Sequence, residues 1–312
     1  MRALVVSNMR PDESHPERGR FVRDQVAALR ELASLEVELY EFASGARELA
    51  RSAPALRRRY LRERFDLVHA HFGLTAWPAL AVKARARAVT LHGTDLAHPR
   101  TRLLTRAALP LMDLVATASE PLIEQIPGAR ARSRALALPC GVDTDRFKPI
   151  AQEQARGELE LPPDAQLLLF PADPARGEKR HDRAQALAQR VGAQLLALGG
   201  VPPERVPLYM NAANAVIVPS EREGFGLAVL EALACNVPVL ATPVGIHPQA
   251  LDGLAGTLCT TFELNEWAEA LAPHLAVGDR RIDGRTRAER FSARRMAERV
   301  AGAWRTLLAD AG

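Results

Sequence analysis

Cysteine, lysine and aromatic residues are scarce in this 312-residue chain, and long uncharged apolar runs are absent. The three cysteines, Cys140, Cys235 and Cys259, are widely spaced and odd in number, which argues against a disulfide framework and a C-x-x-C metal site. No apolar run reaches the length of about 18 residues that a transmembrane helix needs. The N-terminus lacks the layout of a signal peptide. Together these absences favour a reducing, cytoplasmic setting.

The length suits two domains of about 150 residues, each with its own core. Basic residues concentrate in the first half, because residues 1–148 hold 24 lysines and arginines against 17 acids, whereas the remainder holds 17 against 20. Few aromatic residues are interleaved with these arginines, and no recognised nucleic-acid motif occurs. Nucleic acid is therefore not an expected partner.

The most basic stretch is residues 47–64, RELARSAPALRRRYLRER. Two interpretations stay open. It is a solvated helix in an arginine-rich protein, or a helix on an anionic membrane surface with Leu49, Leu56, Tyr60 and Leu61 as its apolar partners.

Short apolar runs alternate with segments of helical spacing, which predicts parallel sheets with helices on both faces. One series of strands runs from Ala3–Ser7 to 135–138, and a second runs from Leu167–Phe170 to 237–241. The polar segment 149–163 ends in a proline pair and is predicted to be the interdomain linker. The predicted domains are 1–148 and 149–312.

Residues 216–245, VIVPSEREGFGLAVLEALACNVPVLATPVG, are predicted to form a strand, a loop, a helix and a second strand. The loop Glu223-Gly224-Phe225-Gly226 leads directly into the helix, whose free N–H groups and positive dipole end make an anion site. Glu231 lies one turn inside this apolar helix, where a carboxylate needs hydrogen-bonding partners. The alternative is structural: the glycines permit a tight turn and the glutamates are capping or edge charges.

A second polar loop, residues 171–183 (PADPARGEKRHDR), also follows a predicted strand. Ligands bind at the carboxyl ends of strands in such folds. Arg176 and Lys179 are suited to stabilise a diphosphate leaving group without a metal. Lys179 stands out because the chain has only three lysines. The alternative is a solvated charged loop.

The long ordered match from Glu223 through Glu231 to PVLATPVG resembles the signature of retaining glycosyltransferases of the GT-B fold, above all the bacterial group 1 family, also called family 4. The resemblance implies an α/β fold with two Rossmann-like, doubly wound parallel-sheet domains facing a central cleft. It also implies that the last helix, about 291–308, packs back on the first domain.

The resemblance implies a retaining glycosyltransferase that moves a sugar from a UDP- or GDP-linked donor to an acceptor, without a metal or other cofactor. Such enzymes make cell-surface polysaccharides, glycolipids or natural-product glycosides. The expected acceptor is a sugar, a lipid-linked molecule or another small molecule, and the expected location is the cytoplasm or the inner membrane face. Two rivals stay open: an epimerase or hydrolase on the same fold, and a non-catalytic nucleotide-sugar-binding protein.

The resemblance also implies roles for residues of the second domain. Glu231 is expected on the ribose, and Lys179 on the diphosphate together with an arginine that is offset from the family position and is Arg176 or Arg180. The expected sugar and phosphate contacts come from the loop before the helix, which comprises Glu223, Gly224, Phe225, Gly226 and Leu227.

Two sites of the first domain match the family. His92 in TLHGTD is expected to bind hydroxyls of the transferred sugar, although alone it would be a structural histidine. Gly19 in HPERGRFVR resembles the glycine of a loop that approaches the acceptor and the donor phosphate. The nearby Arg18, Arg20 and Arg23 either serve an anionic acceptor or form a solvent-facing cluster.

Two motifs suggest metals but are not favoured. Asp143-Thr144-Asp145 spells D-x-D, but its context, GVDTDRF, matches a structural segment. His69, His71 and His92 lack a clear fourth zinc ligand, and His71 is predicted to line the cleft. The chain also departs from the family: it is short between Leu198 and Val216, and Cys140 stands where asparagine is usual.

Overall fold

The computed structural model describes residues 1–13, 15–276, 279 and 281–310. The chain forms two compact units, one built from residues 1–141 and the final segment from Ala293, the other from Val142–Ser292. The division lies between Gly141 and Val142, seven residues before the boundary predicted from the sequence at 148/149. The last helix belongs to the first unit.

The strands are short and are separated by helices along most of the chain. They are β1 (Arg2–Ser7), β2 (Glu36–Glu41), β3 (Phe65–His71), β4 (Ala84–Leu91), β5 (Leu114–Thr117), β6 (Leu136–Ala137), β7 (Leu167–Phe170), β8 (Gln194–Ala197), β9 (Ala215–Val218), β10 (Val239–Ala241) and β11 (Leu258–Cys259).

The helices are α1 (Arg20–Arg30), α2 (Ala46–Arg59), α3 (Ala76–Ala79), α4 (Thr94–Ala97), α5 (Pro99–Ala108), α6 (Ala129–Ser133), α7 (Gln152–Glu158), α8 (His181–Val191), α9 (Val206–Ala212), α10 (Leu227–Ala234), α11 (His247–Leu251), α12 (Leu264–Ala276), α13 (Arg285–Glu289) and α14 (Ala293–Asp310). Short 3-10 turns occupy Gly73–Thr75, Leu109–Leu111, Glu120–Gln125 and Gly177–Lys179.

The first unit is a six-stranded parallel sheet in the order β2-β1-β3-β4-β5-β6. Alternate residues of β1 enter different cores: Leu4 and Val6 pack under α2, α3, α5 and α6, whereas Ala3 and Val5 pack under α1 and α14. The sheet is therefore covered on both faces, as the apolar strands predicted.

The second unit is a five-stranded parallel sheet in the order β11-β10-β9-β7-β8. From β7 the chain adds β8 on one side, and it then returns to add β9, β10 and β11 on the other side. The crevice outside the carboxyl ends of β7 and β9 is therefore a topological switch point. On one face, α8 and α12 pack through residues such as Leu187 and Trp267 onto the strands. The predicted α/β class with two doubly wound parallel sheets is confirmed.

The predicted linker 149–163 lies within the second unit and contains α7. Gln152 and Arg156 are buried, and their side chains donate to the carbonyl oxygens of Ala213 and Ala212 at 3.1 and 3.0 Å. Burial of polar side chains that bond to backbone carbonyls leaves no apolar periodicity in the sequence, so the helix was not predicted.

Two helical segments of the first unit are short: α3 ends at Ala79, and residues 121–126 lie mostly in a 3-10 turn. The last helix, expected over about 291–308, begins at Ala293. Between α13 and α14 the Phe291 carbonyl accepts a hydrogen bond from the Val142 N–H at 2.9 Å. Because the Phe291 carbonyl accepts this bond from outside the helix, it does not take part in the hydrogen bonding of a continuous helix there.

Within the described ranges, no helix combines the length and apolarity needed to cross a bilayer. The three cysteines are free thiols. Burial raises the pKa of the Cys140 and Cys235 thiols to about 12, so both stay protonated at neutral pH.

Candidate functional site

Two loops at the carboxyl ends of β7 and β9 are tied together at the switch point of the second unit. The Glu221 N–H donates to the Glu178 carbonyl at 2.9 Å. The Arg180 guanidinium donates to the Glu221 carboxylate at 2.6 Å. These contacts hold the loop that carries Lys179 beside the loop that carries Glu223.

Lys179 and Glu223 form a direct ion pair. Both carboxylate oxygens of Glu223 lie 2.6 Å from Lys179 Nζ, and Ser220 Oγ donates to the same carboxylate at 2.8 Å. The side chains are only 15% and 8% exposed, so solvent screens the pair weakly. The structure thus brings together two predicted site residues that lie far apart in sequence.

The glycine loop ends at the first turn of α10. Gly226 is the residue before Leu227, with φ of 100°, and no acidic residue occupies the first turn. The first N–H groups of a helix have no carbonyl partner within the helix. The positive end of α10 is therefore suited to an anion beside the Lys179–Glu223 pair.

Gly226 is required by its surroundings as well as by its backbone angle. A Cβ at this position would lie 2.5 Å from His247 Nε2. Gly245 supports the same loop from below, since a Cβ there would lie 2.3 Å from the Phe225 carbonyl oxygen. The Phe225 side chain is buried. The predicted glycine loop is therefore packed tightly against the segment after β10.

His247 was not identified from the sequence, although it is fully buried beneath Gly226. Its Nδ1–H donates to the Thr242 carbonyl at 2.8 Å, which leaves a lone pair on Nε2. Burial lowers the pKa of His247, with Lys179 adding to this effect and Glu223 opposing it. The ring is therefore neutral and holds the glycine loop by packing.

Leu227 and Glu231 are four residues apart on α10 and lie on the same side of the helix. Glu231 is half-buried. Arg176, by contrast, is paired with Glu178 at 2.7 Å and is 52% exposed, and Arg180 is paired with Asp182 and Glu221. Both candidate arginines are thus ion-paired with acids other than Glu223, and Lys179 is the cation that pairs with Glu223.

In the first unit, the HGTD segment is held by the carboxylate of Asp95, for which no role was predicted. Asp95 is buried, and it accepts hydrogen bonds from the backbone N–H groups of His92, Gly93 and Gly73 at 3.1, 2.9 and 3.0 Å. It therefore connects the loop after β4 to the turn after β3. Asp95 could have been identified from the sequence, because it lies three residues after a histidine at the end of a predicted strand.

A chain of hydrogen bonds leads to His92. The Gln25 amide nitrogen donates to His71 Nε2 at 3.3 Å, and His71 Nδ1 lies 3.0 Å from His92 Nε2. A neutral His71 with Nε2 as acceptor carries its proton on Nδ1 and donates it to His92. His92 then keeps its own proton on Nδ1. The predicted cleft-lining His71 is in fact buried.

A separate pair of bonds fixes His69. The Trp304 indole N–H donates to His69 Nδ1 at 3.0 Å, so the protonated Nε2 donates to Thr90 Oγ1 at 2.8 Å. The rings of His69, His71 and His92 stack with centroid separations of 5.0 and 5.2 Å. Burial lowers the pKa of His71 to about 3, and lowers the pKa of His69 and His92 well below the usual range.

Gly19 precedes α1 with φ of 69°, and a Cβ there would lie 2.3 Å from the Met9 carbonyl oxygen. Two residues on, the ring of Phe21 packs 4.8 Å from that of His92. The three nearby arginines are each ion-paired with an acid: Arg18 with Asp12, Arg20 with Asp24 and Arg23 with Glu41. Their charges are therefore largely compensated.

The two motifs that suggested metals have structural roles. The Asp143 carboxylate accepts hydrogen bonds from the Asp145 and Arg146 N–H groups at 3.1 and 2.9 Å, which closes a turn. The stacked histidines are engaged with Thr90, Trp304 and Gln25. In the residues that the structure describes, no group of three or more His, Cys, Asp or Glu is arranged to hold a metal ion.

Two doubly wound parallel units define a protein of the GT-B class, and comparisons with known proteins agree. The family description "Glycosyl transferases group 1" matches residues 163–289, and "Glycosyltransferase Family 4" matches residues 3–146. The chain belongs to the group 1 glycosyltransferases.

Among relatives, the D-inositol 3-phosphate glycosyltransferase of Actinosynnema mirum is 30% identical over 67% of this chain, and the match spans 63% of that protein's length. Sucrose-phosphate synthase of Thermosynechococcus elongatus has a similar structure, with a TM-score of 0.75, 20% identity and coverage of 99% and 100% of the two chains. Anabaena HepE with UDP and glucose gives 0.71, 16% identity and coverage of 98% and 100%. The likenesses to these two solved structures concern the fold.

Proposed function

We propose that this protein transfers a sugar from a nucleotide-diphosphate sugar to an acceptor, with retention of the anomeric configuration. The observation that carries the proposal is the Lys179–Glu223 pair beside the positive end of α10, whose first turn holds no acidic residue, at a topological switch point. A cation, free helix N–H groups and a nearby carboxylate suit a diphosphate joined to a polyol.

The donor is proposed to bind with its diphosphate at the α10 N-terminus and Lys179, its sugar near Glu223 and its ribose on Glu231. Because Leu227 and Glu231 share one side of α10, a ligand that meets the helix end can reach Glu231. UDP is the first nucleotide to test, since the structure of Anabaena HepE has been solved in complex with UDP and glucose. The proposed role of His92 is to donate a hydrogen bond from Nδ1–H to a hydroxyl of the transferred sugar.

The proposed reaction needs no enzyme nucleophile and no metal. The acceptor oxygen bonds to the anomeric carbon on the face from which the diphosphate leaves, and the acceptor's proton passes to the leaving phosphate oxygen. Lys179 and the helix N–H groups stabilise the charge that develops on that phosphate. Full activity after dialysis against EDTA is the expected result.

The acceptor class follows less directly from the site, because Arg18, Arg20 and Arg23 are each paired with acids. A relative carries the name D-inositol 3-phosphate glycosyltransferase, so phosphorylated polyols are the first acceptors to screen. Lipid-linked anionic acceptors are the second class, because the first unit has a basic surplus.

The first experiment is a thermal-shift panel with UDP, GDP, ADP, TDP and their sugar conjugates. A ligand at a hundredfold its Kd stabilises the folded state by about 2.7 kcal/mol. One nucleotide should stand out, and the shift should vanish in Glu231→Ala. Product analysis with the selected donor then separates transfer from its rivals: sugar released or epimerised without acceptor indicates a hydrolase or epimerase, and binding without any turnover indicates a non-catalytic protein.

A further inference from the structure

The exposed apolar side chains of the described residues are gathered on one layer of the first unit. The five large ones are Leu61, Trp77, Leu103, Leu104 and Leu111. All lie on or beside α2, α3 and α5, the helices that cover one face of the sheet, with α3 packed between the other two. No counterpart occurs among the described residues of the second unit.

The centre of this layer is a patch formed by Trp77, Leu103, Leu104 and Leu111. The Trp77 indole N–H donates to the Leu104 carbonyl at 3.2 Å, which joins α3 to α5. Leu103 is 67% exposed and Leu111, in the turn that continues α5, is 47% exposed. Removing these apolar side chains from water by contact with another surface would be favourable. Their concentration on one face therefore indicates an interaction surface.

The charged residues of α5 and of the turn after it are all basic. Residues 96–112 contain Arg100, Arg102 and Arg106 and no acid, and all three arginines are exposed. Arg102 and Arg106 are one turn apart and lie next to the line of Leu103 and Ala107 along the helix. The helix α5 therefore presents leucines flanked by arginines, the pattern of a helix that lies on an anionic interface.

A cavity of about 250 Å³ lies at the end of α5. Its lining includes Arg106, Arg130 and Arg134 together with Leu109 and Pro110, and contains no acidic residue. The Arg134 guanidinium is anchored by bonds to the Leu109 and Met112 carbonyls at 3.3 and 3.0 Å. Because Arg106 borders both the cavity and the exposed face of α5, an anion in the cavity would lie next to the patch.

The basic helix α2 contributes charge but little apolar surface. Leu56 and Tyr60 are buried in the core and Leu49 packs against it, whereas Arg57 and Arg58 are exposed. The apolar partners that the sequence suggested for a membrane-bound α2 therefore face inward, with the exception of Leu61. The exposed apolar surface belongs to α3, α5 and the turn after α5.

We propose that this layer binds an anionic lipid bilayer. Trp77, Leu103, Leu104 and Leu111 enter the headgroup region, where tryptophan and leucine are favoured. The surrounding arginines pair with lipid phosphates, and one phosphate headgroup occupies the Arg106–Arg130–Arg134 cavity. A bilayer is favoured over a second copy of the chain, because symmetric pairing of two copies at this face would place arginines against arginines.

The test is co-sedimentation of the full chain with vesicles of phosphatidylcholine alone and of phosphatidylcholine with 30% phosphatidylglycerol, at about 0.15 M salt. We expect at least tenfold stronger binding to the anionic vesicles and a blue shift of fluorescence that Trp77→Phe abolishes. Leu103→Glu with Leu111→Glu should reduce binding at least tenfold, as should Arg102→Glu with Arg106→Glu. The control is Arg190→Glu, an exposed charge reversal on α8 of the second unit.

These positions are exposed, so the variants should keep the thermal midpoint and the nucleotide-induced shift of the parent protein. Arg130→Ala should weaken binding to anionic vesicles and leave the weak binding to neutral vesicles unchanged. The proposal is overturned by equal binding to both kinds of vesicle, by no binding, or by variants that bind like the parent. A dimer in light scattering that Leu103→Glu dissociates would assign the patch to a second copy instead.

Discussion

Lys179 Nζ lies 2.6 Å from both carboxylate oxygens of Glu223, although the two residues are 44 positions apart in sequence. In the proposed reaction, the donor's diphosphate therefore competes with a carboxylate for the same ammonium group. Glu223 limits the net positive charge beside the α10 N-terminus. Replacing Lys179 and replacing Glu223 should therefore have opposite effects on the binding of a nucleotide diphosphate.

Lys179→Ala should lower kcat by about a hundredfold or more, because it removes the cation that stabilises the leaving diphosphate. It should also weaken nucleotide binding in the thermal-shift assay. The matched control is Lys148→Ala, which removes an exposed lysine of the same unit. Near-normal turnover in Lys179→Ala would show that Lys179 has no part in the chemistry.

Glu223→Gln should tighten binding of the nucleotide diphosphate while lowering turnover. The substitution keeps the shape and the hydrogen bond from Ser220 but removes the charge that competes for Lys179. Isothermal titration with the nucleotide identified by the panel measures the first effect, and steady-state kinetics measures the second. Weaker nucleotide binding in Glu223→Gln would contradict the competition.

Gly226→Ala should destabilise the protein by about 2–3 kcal/mol, since a left-handed backbone and a contact with a buried ring both oppose a side chain there. A drop in Tm of roughly 5–10 °C is expected. The control is Gly157→Ala in α7, where a Cβ meets nothing within 4 Å and φ is not positive. Gly226→Ala combined with His247→Ala should recover part of the loss, because it relieves the contact but not the backbone strain.

His71→Phe should lower kcat roughly tenfold without changing nucleotide binding. It keeps a stacked ring but leaves His92 Nε2 without its donor, a loss of about 1–3 kcal/mol. The ¹⁵N shifts of the His92 ring should report a changed tautomer. His69→Phe is the control, because the His69 ring stacks on His71 and bonds to Thr90 but not to His92. Unchanged His92 shifts in His71→Phe would exclude the hydrogen-bond chain.

The first unit should lose stability as pH falls below about 6.5. Folded His69, His71 and His92 stay neutral, since burial lowers the pKa of each, while the unfolded chain binds protons at these positions. Stability from each histidine is thus complete above pH 6.5 and declines by up to roughly 1.4 kcal/mol per pH unit toward pH 3.

Hydrogen exchange of the Trp304 indole N–H, which donates to His69, reports this loss of stability. It is measured from pH 7 to pH 4 and corrected for intrinsic exchange rates. His71→Phe should flatten the pH dependence, whereas replacement of the exposed His98 by glutamine should leave it unchanged. A pH dependence that is the same in all three proteins would contradict the assignment.

Much of the architecture was predictable because it depends on local pattern. Apolar runs such as Leu114–Thr117 and Leu167–Phe170 coincide with strands of the structure. Regions whose burial involves polar groups were not predictable: α7 buries Gln152 and Arg156 against backbone carbonyls, and a periodicity of apolar residues cannot reveal this.

The sequence by itself determined the α/β class, the strand–loop–helix unit around Glu223 and Glu231, and the presence of a lysine after β7, because each depends on the order of neighbouring residues. Only the tertiary structure decided that Lys179 meets Glu223, that His247 lies under Gly226 and that His71 bonds to His92. Strands β7 and β9 are adjacent although β8 lies between them in sequence, and adjacency across a parallel sheet is set by the packing of whole helices and strands. The exposure of the leucines on α5 was decided in the same way, since the helix turned Thr105 and Ala108 toward the core and left Leu103 and Leu104 outside.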